Sequence, residues 1–460
     1  MKQELLVGND DTIVALATPQ GSGAIAVIRV SGNEAISLVN GIFKGKDLEK
    51  QDTHTLHFGT IRDGEKILDE VVVSLFVAPK SFTKENVVEI SCHGSNFIIR
   101  EILKLIIRRG ARHARPGEFT KRAFMNGAFD LAQAEAIADL IASDNEAAHR
   151  AALDQMRGGF SDEISRLREK LVHFASMIEL ELDFSEEDVE FASREDLEEL
   201  IRELLKVINR LIDSFDVGNV IKNGVPTVIA GKPNAGKSTL LNAMLQEEKA
   251  IVSDIAGTTR DFIEDEMIIQ GVSFRFIDTA GLRETTDKIE SIGVERTRQK
   301  MQQASLIIYM FDLEQDSITE IRRDINKLEN LGIPFLKVGN KLDTAQPELR
   351  ETLENEPGMV FISAKTGENI EQLQEKLLET VNLDKFKTGN TIVTNTRHYE
   401  SLLETRKSLE DVLEGLDGGI TNDFLALDIR QSLHHLGSIT GEVSTDEILG
   451  NIFSKFCIGK

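Results

Sequence analysis

The chain has 460 residues, which is too long for one hydrophobic core, so about three domains are expected. Its hydrophobic content of 41% and charged content of 28% are typical of a soluble globular protein. The formal net charge of −24 argues against a protein that coats nucleic acid with its whole surface.

One basic segment interrupts this acidic composition, between Arg100 and Arg122. It holds eight Lys or Arg residues against two acids, Glu101 and Glu118. Charge runs of this kind are usually solvated helix faces. A local contact with nucleic acid is the alternative, because the net charge of a chain does not exclude a local basic patch.

The two cysteines, Cys92 and Cys457, are far apart in the sequence, and neither belongs to a CxxC pair. This spacing predicts neither a disulfide framework nor a zinc site, and it favours a reducing cytoplasm. No stretch reaches the ~18 apolar residues of a membrane span, and the N-terminus lacks the apolar segment of a signal peptide. We therefore expect a soluble cytoplasmic protein with no membrane partner.

The first 120 residues have the pattern of an α+β domain. Short apolar runs predict strands at residues 12–17, 24–30, 71–76 and 87–90, and a helical period covers 97–107. From about residue 120 to 217 the pattern is helical, as in the apolar face that runs from Ile164 to Ile178. Residues after about 391 return to this helical pattern.

Between the two helical regions, from about residue 220 to 381, strands alternate with helices. The strands are predicted at residues 225–230, 274–277, 306–311, 335–338 and 360–362. This alternation predicts a doubly wound α/β domain with a parallel sheet. We therefore predict that the α/β domain is inserted into a helical domain whose halves lie before and after it.

A phosphate-binding loop follows the first of these strands, at residues 231–238. Its sequence GKPNAGKS fits the Walker A pattern, with a strand before it and a helix after it. Glycines let backbone N–H groups turn toward phosphate oxygens, and the helix N-terminus adds its dipole. Lys237 is expected to reach the β and γ phosphates, and the Ser238 hydroxyl is expected to ligate magnesium.

Three further motifs follow in order. Asp278-Thr279-Ala280-Gly281 directly follows a strand, where the acid can hold the magnesium shell. In Asn340-Lys341-Leu342-Asp343, the Asp343 carboxylate can accept the N1–H and the exocyclic amino group of guanine, and it rejects adenine through an unpaired buried charge. Ser363-Ala364-Lys365 then backs the base. This ordered set resembles the small GTPase superfamily and predicts specificity for guanine.

Catalysis is expected to depart from the Ras pattern. Ras-like enzymes place a water-orienting glutamine after the glycine of the DTAG motif, and this chain has Leu282 there. Acidic Glu290 is a candidate to orient water instead. Asn234 in the phosphate loop is a candidate ligand for a monovalent cation that replaces the charge of an arginine finger. For both residues the alternative is an ordinary loop residue.

A more specific resemblance rests on motifs spread over the whole chain. These are GTTRD at 257–261, DTAGLR at 278–283, RPGEF at 115–119, DLAQAEA at 130–136 and the terminal FCIGK. Together they closely resemble the MnmE (TrmE) family of tRNA modification GTPases, within the TrmE-Era-EngA-like superfamily. The terminal FCIGK and the RPGEF segment are unusual among GTPases.

The resemblance implies a function that composition does not reveal. Proteins of this family act with the FAD-containing partner MnmG (GidA). Together they install an aminomethyl or carboxymethylaminomethyl group on carbon 5 of the wobble uridine of certain tRNAs. A tetrahydrofolate derivative, in the 5-formyl or methylene form, supplies the one-carbon unit. GTP hydrolysis is potassium-dependent and is coupled to pairing of the GTPase domains across a homodimer.

The resemblance also implies a multi-domain α/β and α fold. Residues 1–120 would form the folate-binding and dimerisation domain, 121–218 and 384–460 the helical domain, and 219–383 an inserted Ras-like GTPase domain. Potassium would be held by Asn234, Ser253, Ile255 and Thr258. Magnesium would be held by Ser238 and Thr259, while Glu290, Lys237 and Thr259 would serve catalysis. The full set of implied GTP-binding positions is Asn234, Ala235, Gly236, Lys237, Ser238, Thr239, Ser253, Asp254, Ile255, Ala256, Gly257, Thr258, Thr259, Asp278, Thr279, Ala280, Gly281, Asn340, Lys341, Asp343, Ser363, Ala364 and Lys365.

For the folate site, Arg29, Glu89 and Lys460 match family positions. The family usually carries Lys or Arg at the position of Ala128, so this folate contact is left open, with Lys121 or Arg122 as candidates to compensate. A surface ion pair is the alternative role of the matching residues. Cys457, near the tail, is either a thiol relay or a packed tail residue.

Two other functions fit part of the pattern. One is a ribosome-assembly GTPase of the Era or Der type, but residues after 391 contain no GxxG clamp and the chain has one phosphate loop. The other is a nucleotide-dependent scaffold without hydrolysis, which the intact Lys237, Ser238, Thr259 and Asp278 set disfavours.

Overall fold

The computed structural model describes residues 11–183, 193–249, 265–277, 304–354, 356–381, 391–418 and 421–459. The chain divides into two compact units. The first takes Met1–Ile141, Leu153–Ile201 and Lys407–Lys460, and the second takes Ala142–Ala152 and Arg202–Arg406. The fold is thus α/β and α in more than one unit, and the three domain boundaries drawn from the sequence stay a prediction.

The helices account for much of both units. In chain order they are α1 (Ala35–Asn40), α2 (Asn96–Arg108), α3 (Glu118–Met125), α4 (Leu131–Ala142), α5 (Glu146–Met156), α6 (Gly159–Asp183), α7 (Arg194–Asp213), α8 (Phe215–Asn223), α9 (Lys237–Lys249), α10 (Ile318–Glu329), α11 (Pro347–Glu354), α12 (Ile370–Thr380), α13 (Thr396–Asp417), α14 (Asn422–Thr440) and α15 (Asp446–Ser454). Short 3₁₀ turns lie at Leu48–Lys50 and Leu342–Thr344. Of the helices in the described residues, none is long and apolar enough to cross a bilayer.

The first unit contains a seven-stranded sheet in the order β3-β4-β5-β6-β2-β1-β7. Its strands are β1 (Ile13–Leu16), β2 (Ile25–Ser31), β3 (Phe43–Lys44), β4 (Thr55–Asp63), β5 (Lys66–Phe76), β6 (Val87–His93) and β7 (Arg112–His113). Neighbouring strands are antiparallel except β1 and β7, which are parallel. Helices α1 and α2 bury one face of the sheet around residues such as Ile28, Ile90 and Ile102.

Strand β4 was missing from the sequence prediction, and its burial explains why. Its inward-facing residues include His57 and Gly59, while Leu56 and Phe58 are each 70% exposed. Two of its apolar side chains therefore lie on the side away from the core, and Ile61 is the one apolar side chain of β4 on the buried face, so the pattern does not show that face. The His57 ring is satisfied by the Thr55 hydroxyl, with Nε2 and Oγ1 2.8 Å apart.

The second unit contains a six-stranded sheet in the order β13-β12-β11-β8-β10-β9. Its strands are β8 (Val225–Ala230), β9 (Asp265–Ile269), β10 (Val272–Phe276), β11 (Leu306–Asp312), β12 (Phe335–Asn340) and β13 (Met359–Phe361). All pairs are parallel except the edge hairpin of β9 and β10. The five strands predicted for this region are confirmed, and β9 is an addition. Central β11 is buried along its whole length, as expected of a strand covered on both faces.

A buried cation organises the first unit. Arg122 on α3 is 2% exposed, and its Nη2 lies 2.5 Å from Asp11 Oδ1 and 3.4 Å from Glu118 Oε1. Its Nη1 lies 3.4 Å from the Glu85 carboxylate. Arg112 shares two of these acids, with 2.7 Å to Asp11 and 2.5 Å to Glu118. Two guanidinium groups thus hold three carboxylates from separate parts of the chain, as a buried charge requires.

The titration of Glu118 reflects this network. Burial is the largest single influence, and it raises the pKa of Glu118. Hydrogen bonds from Arg112 and from the Arg115 amide lower this pKa, as do the charges of Arg112 and Arg122, and together they outweigh burial. The net result is a Glu118 pKa below its ordinary value. A depressed pKa means that the ionised carboxylate is stabilised by folding, so this contribution is lost as the pH falls.

We expect the substitution Arg122→Met to lower the free energy of unfolding by about 3 kcal/mol, because it leaves the half-buried Glu85 and Glu118 carboxylates short of a cation. Urea denaturation at neutral pH measures this loss. The deficit should shrink below about pH 4, where Asp11 and Glu118, whose pKa values are lowered in the folded chain, take up protons. The control is Arg108→Met, since Arg108 forms an exposed pair with Asp63; equal shifts in both variants would contradict the role given to Arg122.

Candidate functional site

The phosphate loop lies at the carboxyl end of β8, at the start of α9. The parallel register places the ends of β8, β11 and β12 at the same edge, with Tyr309 beside Ala230 and Asp312 beside Asn340. Loops at this edge of a doubly wound sheet form the usual ligand crevice. The structure therefore brings residues 231–239, 312, 340–343 and 363–365 of the sequence together.

Lys237 occupies the centre of the loop. Its ammonium Nζ donates to the carbonyls of Gly231 at 2.9 Å and Lys232 at 2.7 Å. Burial lowers the pKa of Lys237. Ser238 is half-buried at the first turn of α9, while Asn234 and Thr239 are exposed. An anion placed over the loop would meet this ammonium and the N-terminus of α9 together.

Asn340 is the internal brace of this site. Its side chain is 3% exposed, donates to the Ala235 carbonyl at 2.8 Å and accepts from the Ala364 amide at 3.0 Å. Gly236 is required beside it, because φ is +96° and a Cβ there would lie 2.1 Å from the Asn340 amide nitrogen. One side chain thus joins the phosphate loop to the loop after β13.

The neighbouring residues of the guanine-reading motif are also held in place. Asp343 accepts a hydrogen bond from the Ser363 hydroxyl at 2.7 Å. Lys341 Nζ lies 2.5 Å from the Asp312 carboxylate, and the hydrogen bond to Asp312 raises the pKa of Lys341. Lys365 is exposed at the edge of the site. The carboxylate of Asp343 is thus oriented by a neutral donor, which leaves its negative charge available to a ligand.

Sequence reasoning missed an ion cluster beside the loop. Lys232 Nζ lies 2.8 Å from Asp316 and 3.0 Å from Glu320. The hydrogen bond from Lys232, followed by that from Ser317, lowers the pKa of Glu320 to about 2. Ser317 and Glu320 form a capping box at the start of α10, and this S-x-x-E spacing is the pattern that could have placed them.

Several predicted residues lie outside the described part of the chain. These are Ser253, Asp254, Ile255, Ala256, Gly257, Thr258 and Thr259, then Asp278, Thr279, Ala280 and Gly281, then Glu290 and Lys460. The assignments made for them stay predictions.

A second cluster of predicted residues lies in the first unit. Arg29 on β2 and Glu89 on β6 are register partners, with Nε and Oε1 2.8 Å apart. The Arg29 guanidinium carbon lies 5.6 Å from the ring centres of both Phe82 and Phe119. Its Nη1 donates to the Gly459 carbonyl at 3.4 Å. A carboxylate, a guanidinium and two aromatic rings therefore share one place on the sheet.

The C-terminal tail reaches this cluster because two glycines allow close approach. Gly459 has φ of +96°, and a Cβ there would lie 2.1 Å from the Leu16 carbonyl. Gly117, in the RPGEF motif, has φ of +64°, and a Cβ there would lie 2.6 Å from the Phe453 carbonyl. The Gly117 amide also donates to the Cys457 carbonyl at 3.3 Å. The unusual RPGEF and FCIGK motifs thus meet at the same place.

The other residues predicted near this cluster differ in their burial and contacts. Ala128 is exposed in the turn after α3, where its amide donates to the Ala123 carbonyl at 2.8 Å. Of the two residues considered as replacements for the missing cation, Arg122 is ruled out, because it is buried and occupied by carboxylates. The role of Lys121 stays a prediction. Cys457 is an exposed free thiol. Cys92 is buried, and burial raises its pKa to about 11, followed by the charge of Asp69.

We expect Asn340→Ala to lower the free energy of unfolding of the second unit by about 2 kcal/mol, because the buried Ala235 carbonyl and Ala364 amide lose their partner. Thermal unfolding of the full chain without nucleotide measures it. Asn330→Ala is the control, since the exposed Asn330 side chain bonds only within α10 and its end. Equal melting temperatures for Asn340→Ala and the control would show that the brace is unimportant for stability.

Comparison with known proteins now gives the family. The model described as the MnmE helical domain matches residues 131–457, and that described as the GTP-binding protein TrmE N-terminus matches residues 12–128. The relative "tRNA modification GTPase MnmE" of Cytophaga hutchinsonii is 63% identical over 100% of both chains. The relative of the same name from Christiangramia forsetii is 54% identical and covers 98% of this chain and 99% of its own length. That of Flavobacterium johnsoniae is 55% identical and covers 98% of this chain and 100% of its own length. The chain belongs to the MnmE family.

Proposed function

We propose that this chain is a GTP hydrolase of tRNA modification that works in the cytoplasm with an FAD-containing partner of the MnmG type. In this proposal the complex modifies carbon 5 of the wobble uridine, giving an aminomethyl or carboxymethylaminomethyl group. The one-carbon unit comes from a 5-formyl or methylene tetrahydrofolate. The observation that carries the proposal is the meeting of Arg29, Glu89 and Gly459, which are distant in sequence, at one aromatic-lined place.

The chemistry of that place fits a folate. Glu89 offers a carboxylate to the amino-pyrimidine edge of a pterin, whose neighbouring N–H groups donate two hydrogen bonds. Phe82 and Phe119 offer apolar ring surface near the Arg29 guanidinium. The tail places Gly459 against Arg29, and the next residue, Lys460, is proposed to contact the ligand. The bound folate supplies the one-carbon unit, and these residues orient it.

In the second unit we assign guanine recognition to Asp343. Its carboxylate is set by Ser363 and matches the N1–H and amino group of guanine. Lys237 is proposed to leave the Gly231 and Lys232 carbonyls for the β and γ phosphates, and Ser238 with Thr259 to hold magnesium. Asn340, Lys341 and Ala364 keep the loops around the base in register.

Hydrolysis is proposed to depend on potassium and on Glu290. Asn234 is exposed in the phosphate loop with φ of +67°, so its side-chain oxygen is free to meet a cation at the β–γ bridge. Ser253, Ile255 and Thr258 complete the proposed potassium shell with hard oxygen ligands. The cation supplies positive charge near the developing phosphate charge, while Glu290 orients the attacking water.

A homodimer through the first unit is part of the proposal. Leu56 and Phe58 on β4 are each 70% exposed, and Val72 on β5, the register partner of Phe58, is 38% exposed. This apolar stripe lies on the sheet face opposite the core. Exposed apolar patches of this kind commonly mark protein interfaces, and a second copy of the chain would bury it.

The basic segment gives a reason to assign most tRNA affinity to the partner. Within it, Lys104 pairs with Glu101 at 3.2 Å, Arg108 pairs with Asp63 at 2.9 Å, and Arg112 and Arg122 are held by the buried acids. Much of its positive charge is therefore already neutralised. With a net charge of −24, the chain alone is a poor clamp for a polyanion.

The proposed function predicts a change in cellular tRNA. Deletion of the gene should remove the carbon-5 modification from wobble uridines, because no other source of this chain's activity remains. Nucleoside analysis of digested tRNA measures it, with re-expression of the unmodified gene as the control. Normal levels of the modified nucleosides in the deletion strain would refute the proposal.

The proposed cation site predicts that hydrolysis is about tenfold or more faster in potassium than in sodium, because the smaller ion is held less well by ligands spaced for potassium. Asn234→Ala should remove this preference. Phosphate release under multiple turnover measures both rates, and Asn326→Ala, an exposed helix position, is the matched control. Equal rates of the unmodified chain in the two salts would rule out the role given to Asn234.

A further inference from the structure

We propose that Lys84 supplies the cation that binds the carboxylate tail of a folate at the Arg29 cluster, in place of the basic residue absent at position 128. This inference rests on the proposed folate function and adds a residue that sequence reasoning did not consider. It concerns the end of the ligand that bears the glutamyl carboxylates, away from the pterin.

The position of the Lys84 ammonium is the first argument. Lys84 is exposed in the loop between β5 and β6, and its Nζ donates to the Gly127 carbonyl at 2.5 Å. A Cβ built on Gly127 would lie 4.0 Å from this nitrogen. The positive charge of Lys84 therefore lies at Gly127, the residue directly before Ala128. Position 128 is where the family usually carries a basic side chain.

The backbone of Lys84 is held for this placement. Its φ is +57°, a left-handed conformation that costs a lysine free energy and that glycine adopts readily. The residues on both sides are fixed: Thr83 is fully buried and bonded to Ser31 at 2.8 Å, and Glu85 accepts from Ser31 at 2.7 Å. The Thr83 carbonyl also accepts from the Asn126 amide at 2.7 Å. The strained conformation is thus imposed by its neighbours.

Aromatic contacts link the loop that carries Lys84 to the Arg29 cluster. Phe82, two residues before Lys84, lies 5.6 Å from the Arg29 guanidinium carbon and 5.8 Å from the ring centre of Phe129. Phe129 is the residue after Ala128. The Glu89 carboxylate with Arg29, two aromatic rings and the Lys84 ammonium thus belong to chain segments that contact one another. These three kinds of group suit the three parts of a folate: a hydrogen-bonding pterin, an aminobenzoyl ring and an anionic glutamate.

The test uses the full chain and titration calorimetry with 5-formyltetrahydrofolate. Lys84→Gly removes the ammonium and suits the left-handed backbone, so the loop should keep its conformation. We expect affinity to fall about fivefold, as for the loss of one partly exposed ion pair, and its dependence on salt concentration to weaken. Lys80→Gly, an exposed lysine of the same loop, is the matched control and should bind like the unmodified chain.

Two further measurements separate recognition from loop structure. Competition with 6-methyltetrahydropterin, which lacks the glutamate, should give the same affinity for Lys84→Gly and the unmodified chain. The double substitution Lys84→Gly with Ala128→Lys should restore the affinity for 5-formyltetrahydrofolate.

Each contrary result has a distinct meaning. Unchanged folate affinity in Lys84→Gly, or an equal loss for the tail-free pterin, would overturn the role of Lys84 and leave the folate site intact. Failure of the unmodified chain to bind 5-formyltetrahydrofolate would refute the folate site itself, and this inference with it.

Discussion

The first unit depends on one buried guanidinium, that of Arg122. Burying a charge is unfavourable unless it is paired, and Arg122 is paired with carboxylates from a residue before β1, the β5–β6 loop and its own helix. These partners are far apart in sequence, so satisfying one cation fixes three chain segments against each other. Phe119 on the same helix is thereby placed beneath Arg29, and the loop that carries Phe82 and Lys84 is held beside it.

The C-terminal tail packs against the Arg29 cluster mainly because glycines leave room for close approach, and less because of strong hydrogen bonds. The contact between Arg29 and the Gly459 carbonyl, at 3.4 Å, is long. What allows it is the absence of side chains at Gly117 and Gly459, where a single added carbon would meet backbone atoms. The RPGEF and FCIGK motifs therefore meet in one packing contact, in which Gly117 lies against Phe456 and its amide donates to the Cys457 carbonyl.

The second unit reaches its site by topology. The parallel strands end at the same edge of the sheet. The motifs at residues 231–238, 340–343 and 363–365 follow these strands, so the topology alone brings them together. Asn340 then fixes their spacing, because its one amide group satisfies a carbonyl of the phosphate loop and an amide of the loop after β13. The Lys232 cluster with Asp316 and Glu320 ties the same loop to the start of α10. The loops proposed to bind the nucleotide are thus held by side chains of their own, such as Asn340 and Lys232.

The sequence by itself determined the α/β alternation, the positions of five strands of the second sheet and the identity of the phosphate loop, because apolar periodicity and glycine spacing are local properties. It also predicted Arg29 and Glu89 as site residues through resemblance, and the structure pairs these two side chains. It failed at β4, whose buried face carries His57 and Gly59 beside Ile61, and it left Arg122 as a candidate cation for the ligand. Only the tertiary structure decided that Arg122 is enclosed by acids and that the Lys84 ammonium bonds to Gly127, because burial and the pairing of distant groups depend on contacts that no local pattern records.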